Sequence, residues 1–120
     1  MSETLFGIHG AALELRGARM GLLSSNIANA ATPGYKARDI DFAAALEAST
    51  GGSKPNGYDL SQAIAGATRF RAPVMPALDG NTVEMATEQT AFAENAVGYS
   101  ATLSFIKDRV GTTLRALKGE

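Results

Sequence analysis

Apolar positions recur at helical spacing in two stretches at the ends of the chain, and the middle lacks this pattern. The first stretch runs from about Thr4 to Ala30, with apolar or small residues on nearly every side of the helical wheel. The second runs from about Asn81 to Lys118, with apolar positions alternately three and four residues apart, which is typical of a coiled coil. The pattern predicts an all-α dominated fold in which long N- and C-terminal helices pair as a coiled coil.

The N-terminal helix carries one stripe at heptad spacing, formed by Leu5, Ile8, Ala12, Leu15, Arg19, Leu22, Asn26 and Asn29. Roughly opposite this stripe lie four glycines, Gly7, Gly10, Gly17 and Gly21. Each glycine inside a helix costs about 1 kcal/mol in helix propensity relative to alanine. We therefore expect a helix that is poor in isolation, has neighbours on several sides, and lets another helix approach closely at its glycines.

The C-terminal helix has its own seam, which consists of Met85, Gln89, Phe92, Ala96, Tyr99, Leu103, Ile106, Val110, Thr113 and Leu117. We expect Asn81 to cap the start of this helix, with Glu84 completing a capping box. Acidic residues lie early in the helix and basic residues lie late, in agreement with the helix dipole. The expected packing and assembly interface joins Leu5, Ile8, Leu15 and Leu22 to Phe92, Tyr99, Leu103, Ile106, Val110 and Leu117.

The segment between the two helices holds all the prolines of the chain. Within it, "STGGSKPNGYDL" is typical of a flexible loop, "RDIDF" is compatible with a short strand, and "FAAALEAS" predicts one or two helical turns. The stretch "QAIAGATRFRAPV" remains ambiguous. We expect one domain, made of a helix over residues 1–32, a loop-rich connection with little regular structure over 33–80, and a second helix over 81–120.

Two asparagines, Asn26 and Asn29, lie in the N-terminal stripe where leucines would otherwise continue. A buried amide costs free energy unless it is hydrogen-bonded, so both side chains need partners. Asn29 can satisfy the last carbonyl groups of the helix, and Asn26 is the better candidate for setting the register between helices of one or several subunits. The helix exit is predicted to be a type II turn made by Thr32, Pro33, Gly34 and Tyr35.

The composition offers little catalytic or ligand-binding chemistry. With one histidine, His9, and no cysteine, a histidine-based relay or a thiolate metal site lacks its usual residues, so we expect no catalytic site, cofactor, metal or small-molecule substrate. A net charge of −1 gives no field that would recruit nucleic acid. We expect His9 at the surface or in packing, Asp39 and Asp41 in a solvated turn, and Arg69 and Arg71 along an exposed edge.

The sequence also contains recognisable family motifs. "SSNIANAATPGYKARDIDF" resembles the N-terminal signature of the bacterial flagellar rod and hook axial proteins, and "LDGNTVEMATEQTAFAENAVGYSATLSFIKDRV" is similar to the C-terminal segment of their proximal-rod branch. Together the two matches cover residues 5–46 and 78–118. The chain departs from the family at Ala31, which usually is Asp, and at Ser100, which usually is Gln, and neither residue lies in a seam.

The resemblance implies that the terminal helices form a coiled-coil inner domain, which stacks helically around a central channel and transmits torque. It implies a location in the periplasmic rod of the basal body, reached through the flagellar type III export apparatus without a cleaved signal peptide. Implied partners are copies of the chain, other rod proteins, the adaptor FliE with the MS ring region, and the export apparatus. Phe42 and Leu46 have the spacing proposed in this family for engaging the export gate.

Other functions remain open from the sequence. The chain could occupy another rod position, or it could be a soluble coiled-coil adaptor that does not polymerise. Helical periodicity does not separate these hypotheses, but the motif at residues 25–42 favours the rod, and the lone histidine weighs against an enzyme. We also expect a frayed free subunit, because two slender helices bury too little apolar area to offset roughly 1–2 kcal/mol of backbone entropy per residue.

Overall fold

The computed structural model describes residues 2–50 and 60–119. In this part the elements are α1 (Ser2–Ala28), β1 (Arg38–Ile40), α2 (Phe42–Thr50), α3 (Leu60–Ala67), β2 (Thr68–Phe70) and α4 (Met85–Lys118). The predicted fold class is confirmed, since long terminal helices pack together and the segment between them holds only short elements. Most of the predicted flexible loop "STGGSKPNGYDL" lies outside the described residues.

The two long helices, α1 and α4, lie antiparallel. Asn26 near the end of α1 meets Glu88 near the start of α4, while His9 packs on Phe105 with 5.4 Å between ring centroids. His9 is therefore a packing residue, which was one of the two roles expected for it. Near its start α1 is kinked at Gly7, whose φ of 54° lies in the left-handed region that favours glycine. The molecule is elongated, with a longest extent of 64 Å.

The short elements fold against one side of α1. Strands β1 and β2 pair antiparallel, with Asp39 opposite Arg69. Asp41 ends the strand segment and caps α2, because its Oδ1 accepts the backbone N–H of Ala44 at 3.1 Å. The short strand and the helical turns predicted for this region are confirmed, and α3 with β2 accounts for the stretch that the sequence left ambiguous.

The apolar core lies between α1 and the middle elements. Leu15 is fully buried together with Ile40, Ala45 and Ala67, and Leu22 packs on the same cluster. The expectation that Leu15 and Leu22 pack on the C-terminal seam was wrong, because the middle segment covers this face of α1. Alanines in α2 and α3 allow these short helices to approach α1 closely.

The stripe that α4 buries differs from the predicted seam by one residue. Its buried members are Glu88, Ala91, Asn95 and Thr102, each preceding a predicted seam position. Half-buried beside them are Phe92, Tyr99, Leu103, Ile106 and Val110. Gln89 and Leu117 are exposed. The prediction assumed an apolar contact, whereas α1 offers amide and backbone groups here, and α4 meets them with polar side chains.

Candidate assembly site at the junction of the terminal helices

The exit of α1 is a tight turn. Asn29 Nδ2 donates to the Ser25 carbonyl at 2.8 Å, and Thr32 Oγ1 donates to Asn29 Oδ1 at 3.1 Å. The Tyr35 N–H donates to the Thr32 carbonyl at 3.2 Å, and Gly34 after Pro33 has a φ of 75°. This is the geometry of a type II turn, in which glycine supplies the positive φ.

Asn81 closes the end of α1 instead of the start of α4. The side chain is buried, and its Nδ2 donates to the carbonyl groups of Asn29, Ala30 and Thr32 at 3.0, 3.0 and 2.8 Å. The capping prediction was wrong, because Glu84 stands at the N-cap of α4 without a side-chain cap bond. The carbonyl groups at the end of α1 lack helical partners, and the Asn81 amide shares its two N–H groups among three carbonyls at this exit.

Asn26 is fully buried where α1, β1 and α4 meet. Its Oδ1 accepts the Arg38 N–H at 3.1 Å and its Nδ2 donates to the Arg38 carbonyl at 2.8 Å, so the amide pairs with β1 much as another strand would. The same Nδ2 donates to Glu88 Oε2 at 2.9 Å. One side chain therefore holds both β1 and α4 in register with α1.

Glu88 also takes part in a series of ion pairs between acidic and basic side chains. The carboxylate is fully buried and accepts a hydrogen bond from Arg71 Nη1. Arg71 Nη2 then reaches Asp39 Oδ2 at 2.7 Å, and Arg19 binds both oxygens of Asp39 through Nε at 2.8 Å and Nη2 at 3.0 Å. Two guanidinium groups thus balance two carboxylates. We call Arg19, Asn26, Asp39, Arg71 and Glu88 the junction network.

The junction network corrects two expectations from the sequence. Asp39 does not lie in a solvated turn and Arg71 does not lie on an exposed edge, since their side chains are only 20% and 18% exposed. Antiparallel pairing of β1 with β2 brings the two residues together, and α4 supplies the second carboxylate. Asp41 and Arg69 are exposed, as expected.

Asp39 and Arg19 favour their charged forms in this network. Burial alone would raise the pKa of Asp39, but hydrogen bonds from Arg19, the Ile40 N–H and Arg71 hold this pKa below its ordinary value. The hydrogen bond to Asp39 in turn raises the pKa of Arg19. Charge-assisted hydrogen bonds therefore link α1, β1, the segment after β2, and α4.

A second polar contact joins the middles of α1 and α4. Asn95 is fully buried and donates from Nδ2 to the Arg16 carbonyl at 2.8 Å. The Arg16 guanidinium carbon lies 4.4 Å from the centroid of the Phe42 ring, and a Cβ at Gly98 would overlap the guanidinium group. Gly98 thus makes room for Arg16 between α4 and α2.

The glycines of α1 were expected to allow a close helix contact. Gly17 fits that expectation, since a Cβ there would lie 3.9 Å from Tyr99 Cε2 of α4. A Cβ at Gly21 or at Gly7 would meet nothing within 4 Å in the described chain. Of Gly7, Gly17 and Gly21, only Gly17 thus lies close to α4 in the described chain.

The remaining predicted site residues occupy different environments. Phe42 and Leu46 are half-buried on α2, one helical turn apart, and pack against the apolar core. The side chain of Leu5 lies outside the described part of the chain. Large apolar side chains stay exposed along the two terminal helices, namely Ile8, Met85, Val97, Phe105, Leu114 and Leu117.

Residues 2–50 and 60–119 contain no group of three or more His, Cys, Asp or Glu side chains that could hold a metal ion. No helix in this part of the chain is both long and apolar enough to span a membrane.

The chain is thus an elongated pair of antiparallel helices, fastened by a buried polar network and bearing uncovered apolar side chains. Comparison with known proteins specifies its family. The family model for the flagella basal body rod protein matches residues 7–36. The chain is 49% identical over 120 residues to flagellar basal body rod protein FlgB of Cereibacter sphaeroides. The aligned region covers 95% of this chain and 94% of that protein.

Two further relatives carry the same description. FlgB of Aeromonas hydrophila is 42% identical over 126 residues, covering 98% of this chain and 96% of the relative. FlgB of Salmonella typhimurium strain LT2 is 38% identical over 122 residues, with 90% and 88% covered. The chain belongs to the FlgB family of flagellar basal body rod proteins, and the resemblance seen in the sequence is confirmed.

Proposed function

We propose that the chain is a structural subunit of the proximal rod, in which copies assemble helically through α1 and α4, surround the export channel and transmit torque. Membership of the rod family supports the location. The observation that carries the assembly mechanism is the set of large apolar side chains exposed on both terminal helices, such as Ile8, Val97 and Leu117.

These exposed side chains give association a driving force. Each terminal helix buries only part of its surface against the rest of the same chain. The apolar row of α4 that includes Leu103 and Ile106 is only half-buried in the single chain. Burying a leucine or valine fully contributes about 1.5–3 kcal/mol relative to leaving it exposed. Neighbouring subunits that cover these rows would supply burial that one chain lacks.

The predicted interface residues divide between two roles under this proposal. Ile8 and Leu117, with the half-buried side chains from Phe92 to Val110, have surface available for neighbours. Leu15 and Leu22 instead stabilise the core under the middle segment. Asn26 and Asn29 act indirectly, because they hold the junction that sets the angle between the terminal helices.

The partners and route follow from the same proposal. Partners are copies of the chain, other rod proteins, the FliE adaptor with the MS ring region, and the type III export apparatus, which delivers the chain to the periplasmic rod without a cleaved signal peptide. Phe42 and Leu46 would engage the export gate. Since both pack on the core in the folded chain, this engagement requires α2 to be undocked.

Val97→Asp tests the assembly mechanism, because Val97 is exposed and the substitution leaves the core intact. We expect the purified variant to keep the wild-type circular dichroism and to be exported, but to be depleted from purified basal bodies, with loss of motility. Ser100→Asp, which adds the same charge at an exposed polar residue of the same helix, is the control. Normal incorporation of Val97→Asp would refute the mechanism. A wild-type chain confined to the cytosol of flagellated cells would favour an adaptor.

A further inference from the structure

We propose that docking of α4 on α1 closes α2 over the core, and that Arg16 couples the two events. The inference rests on the proposed function and deepens it, because it concerns access to Phe42 and Leu46, the side chains proposed to engage the export gate. They are covered when α4 is docked and accessible when it is not. We call Arg16, Phe42, Asn95 and Gly98 the Arg16 latch.

Two large apolar side chains carry much of the attachment of α2 to the core. The helix reads "FAAALEAST", and Phe42 and Leu46 both pack against the core cluster. Hydrogen bonds from the Ala44 N–H to Asp41 Oδ1 and from Ser49 Oγ to the Leu46 carbonyl stay within the helix and its cap. An aromatic side chain buries about 150–250 Å², so whatever covers the Phe42 ring strongly affects the docking of α2.

The guanidinium group of Arg16 covers the ring of Phe42. Its carbon lies 4.4 Å from the ring centroid, in a cation–π contact that strengthens when water is excluded. Arg16 Nε is buried and has no hydrogen-bond partner among the residues that the structure describes. Because no hydrogen bond at Nε fixes the group, its position depends on the two surfaces beside it, Phe42 of α2 and Gly98 of α4.

Helix α4 holds Arg16 in this position at two points. The fully buried Asn95 donates from Nδ2 to the Arg16 carbonyl at 2.8 Å, which fixes the backbone. One turn later, Gly98 leaves room for the guanidinium group, since a Cβ at this position would overlap Nη1 and Cζ. When α4 leaves α1, the guanidinium group is free to enter water, and the ring of Phe42 loses its cover.

The opening of α2 leaves the small sheet in place. The Asp41 N–H donates to the Ala67 carbonyl at 2.9 Å, so the start of α2 stays joined to the junction of α3 and β2. Strand β1 is held separately, by its pairing with β2 and by Asn26. Because α2 precedes α4 in the chain, Phe42 and Leu46 are accessible from their synthesis until α4 docks.

Thiol labelling tests the latch, since the chain has no cysteine of its own. Ala45→Cys places a small thiol at a fully buried position of α2, where iodoacetamide reacts only when α2 opens. Labelling rates are measured on the folded, full-length chain with and without Gly98→Ala, which displaces the guanidinium group. We expect at least a threefold increase. Ala37→Cys, which is fully buried just before β1, is the control and should keep its rate.

A second comparison assigns the effect to Arg16. Arg16→Ala removes the cover of Phe42 without lowering helix propensity, so it should also accelerate the labelling of Ala45→Cys. In the Arg16→Ala chain, Gly98→Ala should give no further acceleration, because the group that it displaces is gone. A general loss of stability would instead act alike in both chains.

Three outcomes would overturn the latch. These are an unchanged rate at residue 45 in Gly98→Ala, an equal acceleration at residue 37, and the same acceleration by Gly98→Ala in the Arg16→Ala chain. If Gly98→Ala loses the wild-type circular dichroism, Asn95→Ala replaces it, and the first two criteria apply. The proposed function is tested separately, since export of Phe42→Ala at the wild-type rate would refute engagement of the gate whatever the labelling shows.

Discussion

Asn26 and Glu88 are both fully buried, and the amide of Asn26 donates to the carboxylate of Glu88 across the pair of terminal helices at 2.9 Å. The residues are 62 positions apart in the chain. Their hydrogen bond lies where two regions of the molecule meet. One is the apolar core between α1 and the middle elements, and the other is the polar interface between α1 and α4.

Replacing Asn26 should destabilise the subunit. Asn26→Ala leaves Glu88 with one partner fewer and leaves the N–H and carbonyl of Arg38 without the amide that binds them. A buried polar group that loses its partner costs about 1–3 kcal/mol, so we expect a loss in that range in urea unfolding followed by circular dichroism. Asn29→Ala, which removes two hydrogen bonds at the partly exposed helix exit, should cost less. Equal losses would contradict this reading of Asn26.

Asn81→Asp separates the two roles considered for Asn81. Asn and Asp are about equally good at a helix N-cap, so the substitution would be nearly neutral if Asn81 capped α4. The structure instead uses the amide as a donor to three carbonyl groups at the exit of α1, and a carboxylate cannot donate. We therefore expect a loss of about 1–3 kcal/mol in the free energy of unfolding.

Stability should fall in acid because of Asp39. Its pKa is lowered in the folded chain, so its contribution to stability is fully present above the unfolded-state pKa, near 4, and is lost as the pH falls through the lower folded-state value. The melting temperature between pH 6 and pH 2 should drop less steeply in Asp39→Asn than in the wild type. Asp108→Asn, at an exposed carboxylate of α4, is the control and should retain the wild-type slope.

Two helical glycines should respond differently to alanine. Gly21→Ala faces open space, so it should stabilise the chain by about 0.5–1 kcal/mol through helix propensity. At Gly98 the added methyl displaces the Arg16 guanidinium from Phe42, which offsets that gain with the loss of a cation–π contact of about 0.5–2 kcal/mol. Chemical denaturation of both variants should rank Gly98→Ala as the less stable, and the reverse order would show that Arg16 moves without cost.

Amide exchange in a dilute monomer should follow a gradient along the terminal helices. The junction network and the core hold the second half of α1 and the first turns of α4, whereas residues 107–118 are mostly exposed. We expect fast exchange in those last turns, and slower exchange around Asn26 and Glu88, measured by mass spectrometry. Uniformly slow exchange would contradict the proposal that neighbours supply missing burial to the helix ends.

Local signals in the sequence predicted several elements. Helical periodicity located α1 and α4, and the alternation in "RDIDF" located β1. Distant partners were not predictable in the same way. Nothing adjacent to Arg71 in the sequence indicates that it will bind Glu88, because the pair forms only when β2 docks on β1 and α4 lies beside α1. Asn81 stands where an N-cap is expected, and only the fold brings the α1 exit within its reach.

The one-residue difference in the α4 stripe has a similar cause. The seam was chosen by hydrophobicity, which selects Phe92 and Leu103, whereas the chain buries their neighbours Ala91 and Thr102. The contact surface of a helix depends on what its partner presents, and here α1 presents backbone and amide groups. The apolar row is thereby left at the side of the contact, where it is only half-buried.

The pairing of Asn26 with β1 also protects the small sheet. The N–H groups of Arg38 and Ile40 are bound by the side chains of Asn26 and Asp39, at 3.1 and 2.7 Å. A strand from another molecule would therefore find these two donors occupied on that side of β1. Exposed strand edges are templates for aggregation, so side chains of the same molecule that block such an edge protect the chain from pairing with other molecules.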